Sequence, residues 1–390
     1  MRVLFLVNGS SSSAGANRAL MFSQVFEVGD YGDGRVNSRN AIWSSQILFR
    51  PEQKWKGFVR FVYAGLSQKP DLVYVVDTAY AGVLAGLLVK ALTKCVMITD
   101  TGDEAFELAR STGKYTPVQL SLIRWTEKLA QKKSDAVVVR GSYHREALLH
   151  KSIRRVECVP DGIDISALRK CEKREVDDLK LHLGLNSQYI IGMVGSMTWS
   201  ERHRLCYGWD IVESLAHLRD LPVKGLLVGD GDGRIRLEER ARILGVEDRV
   251  VFAGRIPQDK VCSYVKAMDF CVSTQSNDAV GWARTTGKLP LYLAAGCHVI
   301  ATDVGEAHRV LPGIGSLLPY VGVRDDDHPT RLAGEVRRLI LNPQLLEAAK
   351  KGPEVAAANF EYSMLAARVV NLAKELCIDA NAFSSVTAAC

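Results

Sequence analysis

The stretch Arg284-Thr285-Thr286-Gly287-Lys288-Leu289-Pro290 leads into a helical pattern at 291–295. Open main-chain N–H groups, a glycine and a lysine at a helix start make a phosphate site. Gly287, Lys288 and Leu289 are therefore the first candidates for holding an anion. A basic cluster, Arg202, His203 and Arg204, lies between Gly195-Ser196 and a helix opening at Tyr207-Gly208-Trp209-Asp210. Cations at a strand end suit a diphosphate, which Arg grips through paired donors; the competing reading is a solvated basic loop. Near the amino terminus Asn8-Gly9-Ser10 runs through three more serines to Ala14-Gly15. Small residues between a strand and a helix leave N–H groups facing an anion. That puts Gly9, Ser10 and Gly15 in the same class, against the reading of a plain strand-to-helix turn. The loop is neither G-x-G-x-x-G nor a Walker loop.

Carboxylates form a second group. Asp100-Thr101-Gly102-Asp103-Glu104 follows an apolar run at 95–99. Carboxylates at the carboxyl end of a parallel strand sit where ligands bind in such sheets. Asp103 is the candidate to orient a bound hydroxyl or take its proton; the alternative is that Asp100 or Asp103 caps the helix that follows. Gly229-Asp230-Gly231-Asp232-Gly233 allows a tight turn before a helix that Asp232 would cap. Val159-Pro160-Asp161-Gly162-Ile163-Asp164 is a turn by composition. The nine cysteines are odd in number and contain no C-x-x-C, so they read as buried reduced thiols. No cluster has metal-ligand spacing.

These residues need elements to position them. Continuous apolar runs at 3–7, 72–76, 95–99 and 136–139 read as strands covered on both faces. A second series opens at 190–194 and continues at 225–228, 250–253, 270–273 and 299–302. Helical patterns lie between them, among them 117–133, 209–218, 233–244 and 260–268. Alternation of strand and helix predicts parallel sheets flanked by helices. The series restarts after a charged, broken segment at 166–188, read as a linker between two doubly wound domains. A chain of 390 residues accommodates two or three domains. The apolar start at 1–7 is too short for a signal-peptide core, and no run is long enough to span a bilayer. The expected compartment is the cytoplasm. Of the net charge of +6, residues 1–170 carry more than the whole, with 24 Lys and Arg against 16 Asp and Glu. Lys54-Trp55-Lys56-Gly57-Phe58-Val59-Arg60-Phe61 interleaves bases with aromatics, which suits a helix lying on an anionic surface; the alternative is an ordinary amphipathic helix packed on the first domain. Nothing marks a nucleic-acid binder.

From Leu226 to Leu318 the sequence resembles the donor-binding domain of the family 4 glycosyltransferases. LLVGDGDGRIRLEERARILGVEDRVVFAGRIPQDK and TTGKLPLYLAAGCHVIATDVGEA carry the resemblance. Pro160-Asp161-Gly162-Ile163-Asp164 is similar to that family's Pro-Asn-Gly-Val-Asp turn. Residues 10–70 match little. The resemblance implies the α/β GT-B fold: two Rossmann-like doubly wound domains facing a cleft, with a C-terminal helix returning to the first. The expected divisions are an acceptor-binding domain at 1–172, a nucleotide-sugar-binding domain at 185–355, the returning helix at 356–378 and a flexible tail at 379–390.

It further implies retaining, metal-independent transfer of a sugar from a nucleotide diphosphate sugar to a small-molecule or lipid-linked hydroxyl. No cofactor is expected beyond that donor, and peripheral membrane contact would run through the first domain at the inner membrane face. The nucleoside would lie near Gly229, Arg255, Ile256 and Leu291. The phosphates would lie against 287–289, Ser196, Arg202, Arg204 and the Gly9 loop. Glu306, after Gly305, would sit near the sugar as a catalytic side chain beside Asp103. Many members carry two glutamates with seven residues between them, the second holding the ribose; Ala283 and Leu291 stand there in this chain. Ser196 and Tyr207 replace an arginine and a lysine of the family's first donor-domain loop, and Arg202, Arg204 and Lys288 are the cations available to replace them. These departures leave two alternatives: a nucleotide-sugar-binding protein that has lost catalysis, and a nucleotide-sugar epimerase on the same fold.

Overall fold

The computed structural model describes residues 1–7, 14–28, 41–43, 54–78, 80–169, 171–201 and 203–387. The chain divides into two compact units, Met1–Pro160 with Tyr362–Cys390, and Asp161–Glu361.

Unit 1 runs β1 (Val3–Val7), α1 (Ala14–Val28), β2 (Ala41–Trp43), α2 (Lys54–Gln68), β3 (Leu72–Val76), α3 (Tyr80–Thr93), β4 (Val96–Thr101), α4 (Ala105–Thr112), α5 (Pro117–Lys133), β5 (Ala136–Val139), α6 (Ser142–His150) and β6 (Val156–Cys158). Among the described residues its strands form one parallel sheet in the order β2-β1-β3-β4-β5-β6. Successive side chains of a strand point to opposite faces. Val3, Phe5 and Val7 accordingly enter one apolar layer with α1, while Leu4 and Leu6 enter another with Phe61 of α2 and Val83 and Val89 of α3. Both faces are covered, which is why β3 and β5 are apolar throughout. α5 starts on a reciprocal capping box between Thr116 and Gln119, with Pro117 as its first residue, and ends on Lys132 and Lys133 beside the negative end of its dipole.

Unit 2 runs α7 (Ile165–Arg169), α8 (Lys173–His182), β7 (Tyr189–Val194), α9 (Trp209–Leu215), β8 (Val223–Val228), α10 (Arg234–Ile243), β9 (Val250–Gly254), α11 (Val261–Lys266), β10 (Phe270–Ser273), α12 (Ala279–Ala283), α13 (Lys288–Ala294), β11 (His298–Thr302), α14 (Glu306–Val310), β12 (Ser316–Leu318), α15 (His328–Leu341) and α16 (Gly352–Phe360). Its parallel sheet has the order β12-β11-β10-β7-β8-β9. One layer packs α8, α11, α13 and α16 on the sheet, and the other packs α9, α10 and α15.

The divisions differ from those the sequence predicts. The segment 166–188 is no linker: Ile165, Leu168, Val176 and Leu185 are buried in the core of unit 2, and the change of unit falls between Pro160 and Asp161. Its high charge lies on the outer face of α8, which hides a short amphipathic helix from a composition reading. The helix predicted at 356–378 is two helices. α16 ends at Phe360 in unit 2, and α17 (Tyr362–Thr387) returns to unit 1, where Leu365, Val369 and Leu376 pack in the layer of α1. The tail expected from Asp379 is helical as far as Thr387. β2, β6 and β12, of three residues each, were not predicted; a strand that short carries no legible period. Among the described residues no helix is long and apolar enough to cross a membrane.

In each sheet the order reverses once, between β1 and β3 and between β7 and β10. Ligands of open α/β sheets bind at such a reversal, beyond the carboxyl ends of the strands. The end of β7 is drawn tight against the end of β8. Gly229 has φ of 129°, and a Cβ there would stand 1.9 Å from the Gly195 carbonyl oxygen. We therefore expect Gly229→Ala to lower unfolding free energy by about 3 kcal/mol. Gly334→Ala, where an added Cβ in α15 meets nothing within 4 Å, should instead raise it by about 0.5–1 kcal/mol. Urea unfolding of the two variants beside the parent checks both signs.

Candidate functional site

The order reversal in unit 2 is a crevice with a defined wall. β10 pairs with β7 at Ile191 and Gly192, below the end of β7. Beyond them the Val194 N–H turns to α13 and donates to the buried Tyr292 hydroxyl at 2.8 Å. This bond fastens α13 to the end of β7 and sets its first residue, Lys288, over the crevice. Lys288 Nζ lies 3.1 Å from the centroid of the Tyr207 ring. Its Cε approaches Gly195 so closely that a Cβ there would stand 2.8 Å away. The residue keeps some exposure, but its ammonium is desolvated, and burial, with Arg284 adding repulsion, lowers its pKa to about 7. Below it Tyr207, Asp210 and Thr274 line a small hollow. The Asp210 carboxyl is pushed up to about 7 by burial, which Glu213 and Asp325 reinforce and the Thr274 hydrogen bond and Arg324 oppose.

The other predicted residues of unit 2 take varied places. Gly287 is exposed, with open space around it. Leu289 is a core residue whose N–H already donates to the Thr286 carbonyl at 3.1 Å. Leu291 packs against the same core and donates to the Gly287 carbonyl. Ser196 is exposed, its hydroxyl 2.6 Å from that of Thr198. Arg204 is exposed too, and its carbonyl accepts from Arg324 Nη1 at 3.0 Å. Arg202 lies outside the described residues. Gly195, Gly229 and Gly254 meet at the ends of three adjacent strands, with Gly229 N–H donating to the Gly254 carbonyl at 2.9 Å. Arg255 then stands exposed and Ile256 rests on the core. Glu306 is 2% exposed and accepts from Arg309 Nε at 2.8 Å. Asp232 does not cap α10; it accepts the Trp199 N–H at 2.7 Å and so fixes the loop after β7.

Unit 1 builds its polar centre around Asp100, wholly buried at the end of β4. Asp100 Oδ2 accepts from Arg18 Nε and from the Tyr74 hydroxyl, each at 2.7 Å. Arg18, 2% exposed, also donates to the Pro160 carbonyl at 2.9 Å. Asp100 is therefore a structural counter-ion. Neither it nor Asp103 caps α4: Glu127 of α5 accepts the Ala105 N–H at 2.6 Å. Burial pushes the Glu127 carboxyl up to about 7 against those hydrogen bonds. Asp103 is half-buried in the turn after β4, where the Thr101 hydroxyl donates to its main-chain carbonyl. Gly15 is buried in the first turn of α1, beside Val76 and Asp77. Gly9 and Ser10 lie outside the described residues.

Sequence reasoning missed Arg18, Tyr74, Asp77, Arg140, Tyr207 and Tyr292. Asp77 carried a signal, since it ends the buried strand β3 as Asp100 ends β4. The partners on helices and rings did not, because only tertiary packing brings them to the strand ends.

Residues 188–342 match the sequence family described as Glycosyl transferases group 1, a span from the start of β7 to the end of α15. Among curated relatives, the alpha-monoglucosyldiacylglycerol synthase of Streptococcus pneumoniae is 24% identical over 77% of this chain and 68% of its own. The 2-deoxystreptamine glucosyltransferase of Streptomyces kanamyceticus is 26% identical over 62% of this chain and 61% of its own. Anabaena HepE, solved with UDP-glucose, superposes with a TM-score of 0.74 at 16% identity, covering 96% of this chain and all of HepE, a likeness of fold.

The buried pair in unit 1 gives a direct test. Asp100→Asn leaves the Arg18 charge buried without its counter-ion and should cost about 3–5 kcal/mol of stability. Tyr74→Phe removes one hydrogen bond and spares the pair, at about 1 kcal/mol. Equal losses in urea unfolding would contradict the assignment of Asp100 as the counter-ion.

Proposed function

We propose that the chain is a glycosyltransferase of GT-B type that moves a sugar from a nucleotide diphosphate sugar to a hydroxyl-bearing acceptor, with retention and without a metal ion, as a family 4 member. The observation that carries this is Lys288: an ammonium held out of water at the order reversal of unit 2, next to the open main chain at Gly287. A departing diphosphate needs charge where the sugar–oxygen bond breaks, and a preorganised cation in a dry site supplies it without reorganisation. Lys288, with Arg284 behind it and Arg202 and Arg204 on the preceding loop, replaces the cations that Ser196 and Tyr207 do not provide. That charge is the ground for reading the reaction as metal-independent. The nucleoside rests against Gly229, Arg255, Ile256 and Leu291. HepE's complex with UDP-glucose makes a uridine diphosphate sugar the first donor to try.

The positions of the family's two glutamates hold core side chains, Ala283 at 4% exposure and Leu291 against the core. No carboxylate holds the ribose from there. This observation favours, as second reading, a binder without turnover. Tight binding of a sugar nucleotide with neither transfer nor hydrolysis would select it; conversion of the donor alone would select an epimerase. On the first reading, Lys288→Ala lowers kcat/KM by about 10²–10³-fold, EDTA leaves the rate unchanged, and the product keeps the donor's anomeric configuration by NMR. An unchanged kcat/KM in Lys288→Ala contradicts the phosphate assignment.

The acceptor hydroxyl is received in unit 1, at the carboxylates around Asp103, and the relatives' names make a lipid or an aminocyclitol hydroxyl the class to test. We also propose that the protein works in the cytoplasm, at the inner membrane face. α2, α3 and α5 lie side by side on one face of unit 1. They carry eight Lys and Arg and a single carboxylate, Glu127, which turns inward to α4. Phe58, Phe61 and Val62 hold α2 to the core, while Trp55 and Tyr63 on its outer side are 71% and 75% exposed and Val118 of α5 is 78% exposed. Cations around outward aromatics suit anionic lipid. Vesicles of phosphatidylglycerol should bind the protein and release it with salt, phosphatidylcholine vesicles should not, and Lys56→Glu with Arg60→Glu should weaken binding about tenfold or more. Equal binding to both lipids contradicts the proposal.

A further inference from the structure

We infer that Tyr207 is a positioning residue: the face of its ring holds the Lys288 ammonium in the crevice of unit 2, and keeps it charged until a diphosphate takes it over. The inference rests on the reading of Lys288 as the cation for the diphosphate, and names the group that keeps that cation available.

A desolvated ammonium needs partners, and Lys288 has few. Among the described residues its Nζ makes no hydrogen bond and no ion pair. It has the Tyr207 ring, whose centroid is 3.1 Å away. The face of an aromatic ring is the negative part of its quadrupole and attracts a cation, more strongly where water is excluded. Little water fits here. The hollow beneath, walled in part by Met193, Ile211 and Val272, has room for about one molecule. On another side the main chain closes in at Gly195, where a Cβ would stand 2.8 Å from Lys288 Cε.

Both partners are placed by their own elements. Lys288 opens α13, which the Tyr292 hydroxyl fastens to the end of β7. Tyr207 ends the loop after β7, and that loop is closed by the Ser200 N–H donating to the Leu205 carbonyl at 3.0 Å. Gly208, with φ of 96°, then turns the chain into α9 close over the sheet, where a Cβ would stand 3.2 Å from Leu227 Cδ1. Tyr207 is thereby packed against the apolar layer of α9, α10 and α15. The ring is a built platform and not a side chain that happens to lie nearby.

Three charged or titratable groups face Lys288. Arg284, from the turn before α13, repels it; Asp210 of α9 lines the hollow; Tyr207 offers its ring. Thr274, beyond β10, is uncharged. Burial lowers the Lys288 pKa to about 7, with Arg284 adding to the fall. The ring works against both, because its face stabilises the ammonium and not the neutral amine. Without it the amine loses its proton at a lower pH and meets the diphosphate uncharged. A diphosphate prefers the ammonium, so affinity is full below the Lys288 pKa and is lost as pH rises through it. Asp210 ionises in the same range, and its charge weakens affinity in the same direction, so it needs its own control.

The test is the Kd of UDP-glucose for the full chain from pH 5 to 8.5, a range in which the donor's diphosphate keeps its charge. Wild type should bind evenly at the acid end, break near pH 7, and be weaker by about tenfold or more at pH 8.5. Lys288→Met should show no break, and Asp210→Asn should keep it. Tyr207→Phe, which keeps the ring, should match wild type. Tyr207→Leu should move the break down by about one unit or more, with Kd within threefold of wild type at pH 5 and about tenfold weaker at pH 7. If Tyr207→Leu does not fold by circular dichroism, Tyr207→Trp takes its place; the stronger ring face should hold the break at pH 7 or raise it, and a lower break overturns the role. An unmoved break in Tyr207→Leu, equal weakening at every pH, or a Tyr207→Phe that behaves as Tyr207→Leu overturns it as well. A wild type that binds UDP-glucose with no break, or a break that persists in Lys288→Met, leaves the transferase reading standing and overturns this inference. If wild type binds none of UDP-, GDP-, ADP- and dTDP-glucose at any pH, the transferase reading falls and takes this inference with it.

Discussion

The hydrogen bond from the Val194 amide to the Tyr292 hydroxyl holds the centre of unit 2 together. A strand that ends at an order reversal loses its neighbour on one side, and its last N–H groups then need another acceptor. An unsatisfied buried amide costs about 1–3 kcal/mol. The helix α13 supplies the missing oxygen, and in doing so it is pinned with its first residue over the gap. Lys288 is consequently placed by a side chain one turn further along, and Tyr207 and Gly195 close around its stem. The same opening that would receive a ligand is thus what fixes the cation that greets it.

Unit 1 answers the equivalent problem with charge. Its reversal lies beside a wholly buried carboxylate satisfied by Arg18 and Tyr74. Arg18 also reaches the Pro160 carbonyl, tying α1 to the last residue before the change of unit. A buried ion pair contributes little net stability, yet losing one partner is costly. The network therefore acts as a constraint on geometry. It sets where β3, β4 and α1 stand relative to one another, and so where Asp77, Asp103 and Arg140 can point. α17 finishes the same unit by covering the α1 side of the sheet with Leu365, Val369 and Leu376.

The long buried strands were legible because two covered faces leave no room for polar positions. β1, β3, β5 and β10 start and stop where their apolar runs do. α5 was legible from Thr116-Pro117 and from its terminal lysines. Lys288 and the open glycine before it were legible as a helix start. The helices α7 and α8 were not, since α7 has only five residues and α8 is charged with Val176 alone fully buried. A cap is the local reading for Asp232 and the alternative reading for Asp100 and Asp103, whereas the loop after β7 and the distant Glu127 take those contacts through tertiary packing. What the sequence could not carry is any pairing across elements: Tyr292 with Val194, Arg18 with Asp100, Lys288 with Tyr207.

The central claim is that Lys288 waits desolvated and is recharged by a bound diphosphate. Free, with its pKa near 7, it is largely neutral at pH 8.5; beside two phosphates it should hold its proton. Calorimetry of UDP-glucose binding at pH 8.5, in buffers of different ionisation enthalpy, counts the protons taken up. The account predicts uptake approaching one proton in wild type and near zero in Lys288→Met. Binding with no proton uptake by wild type, or with the same uptake in both proteins, contradicts it.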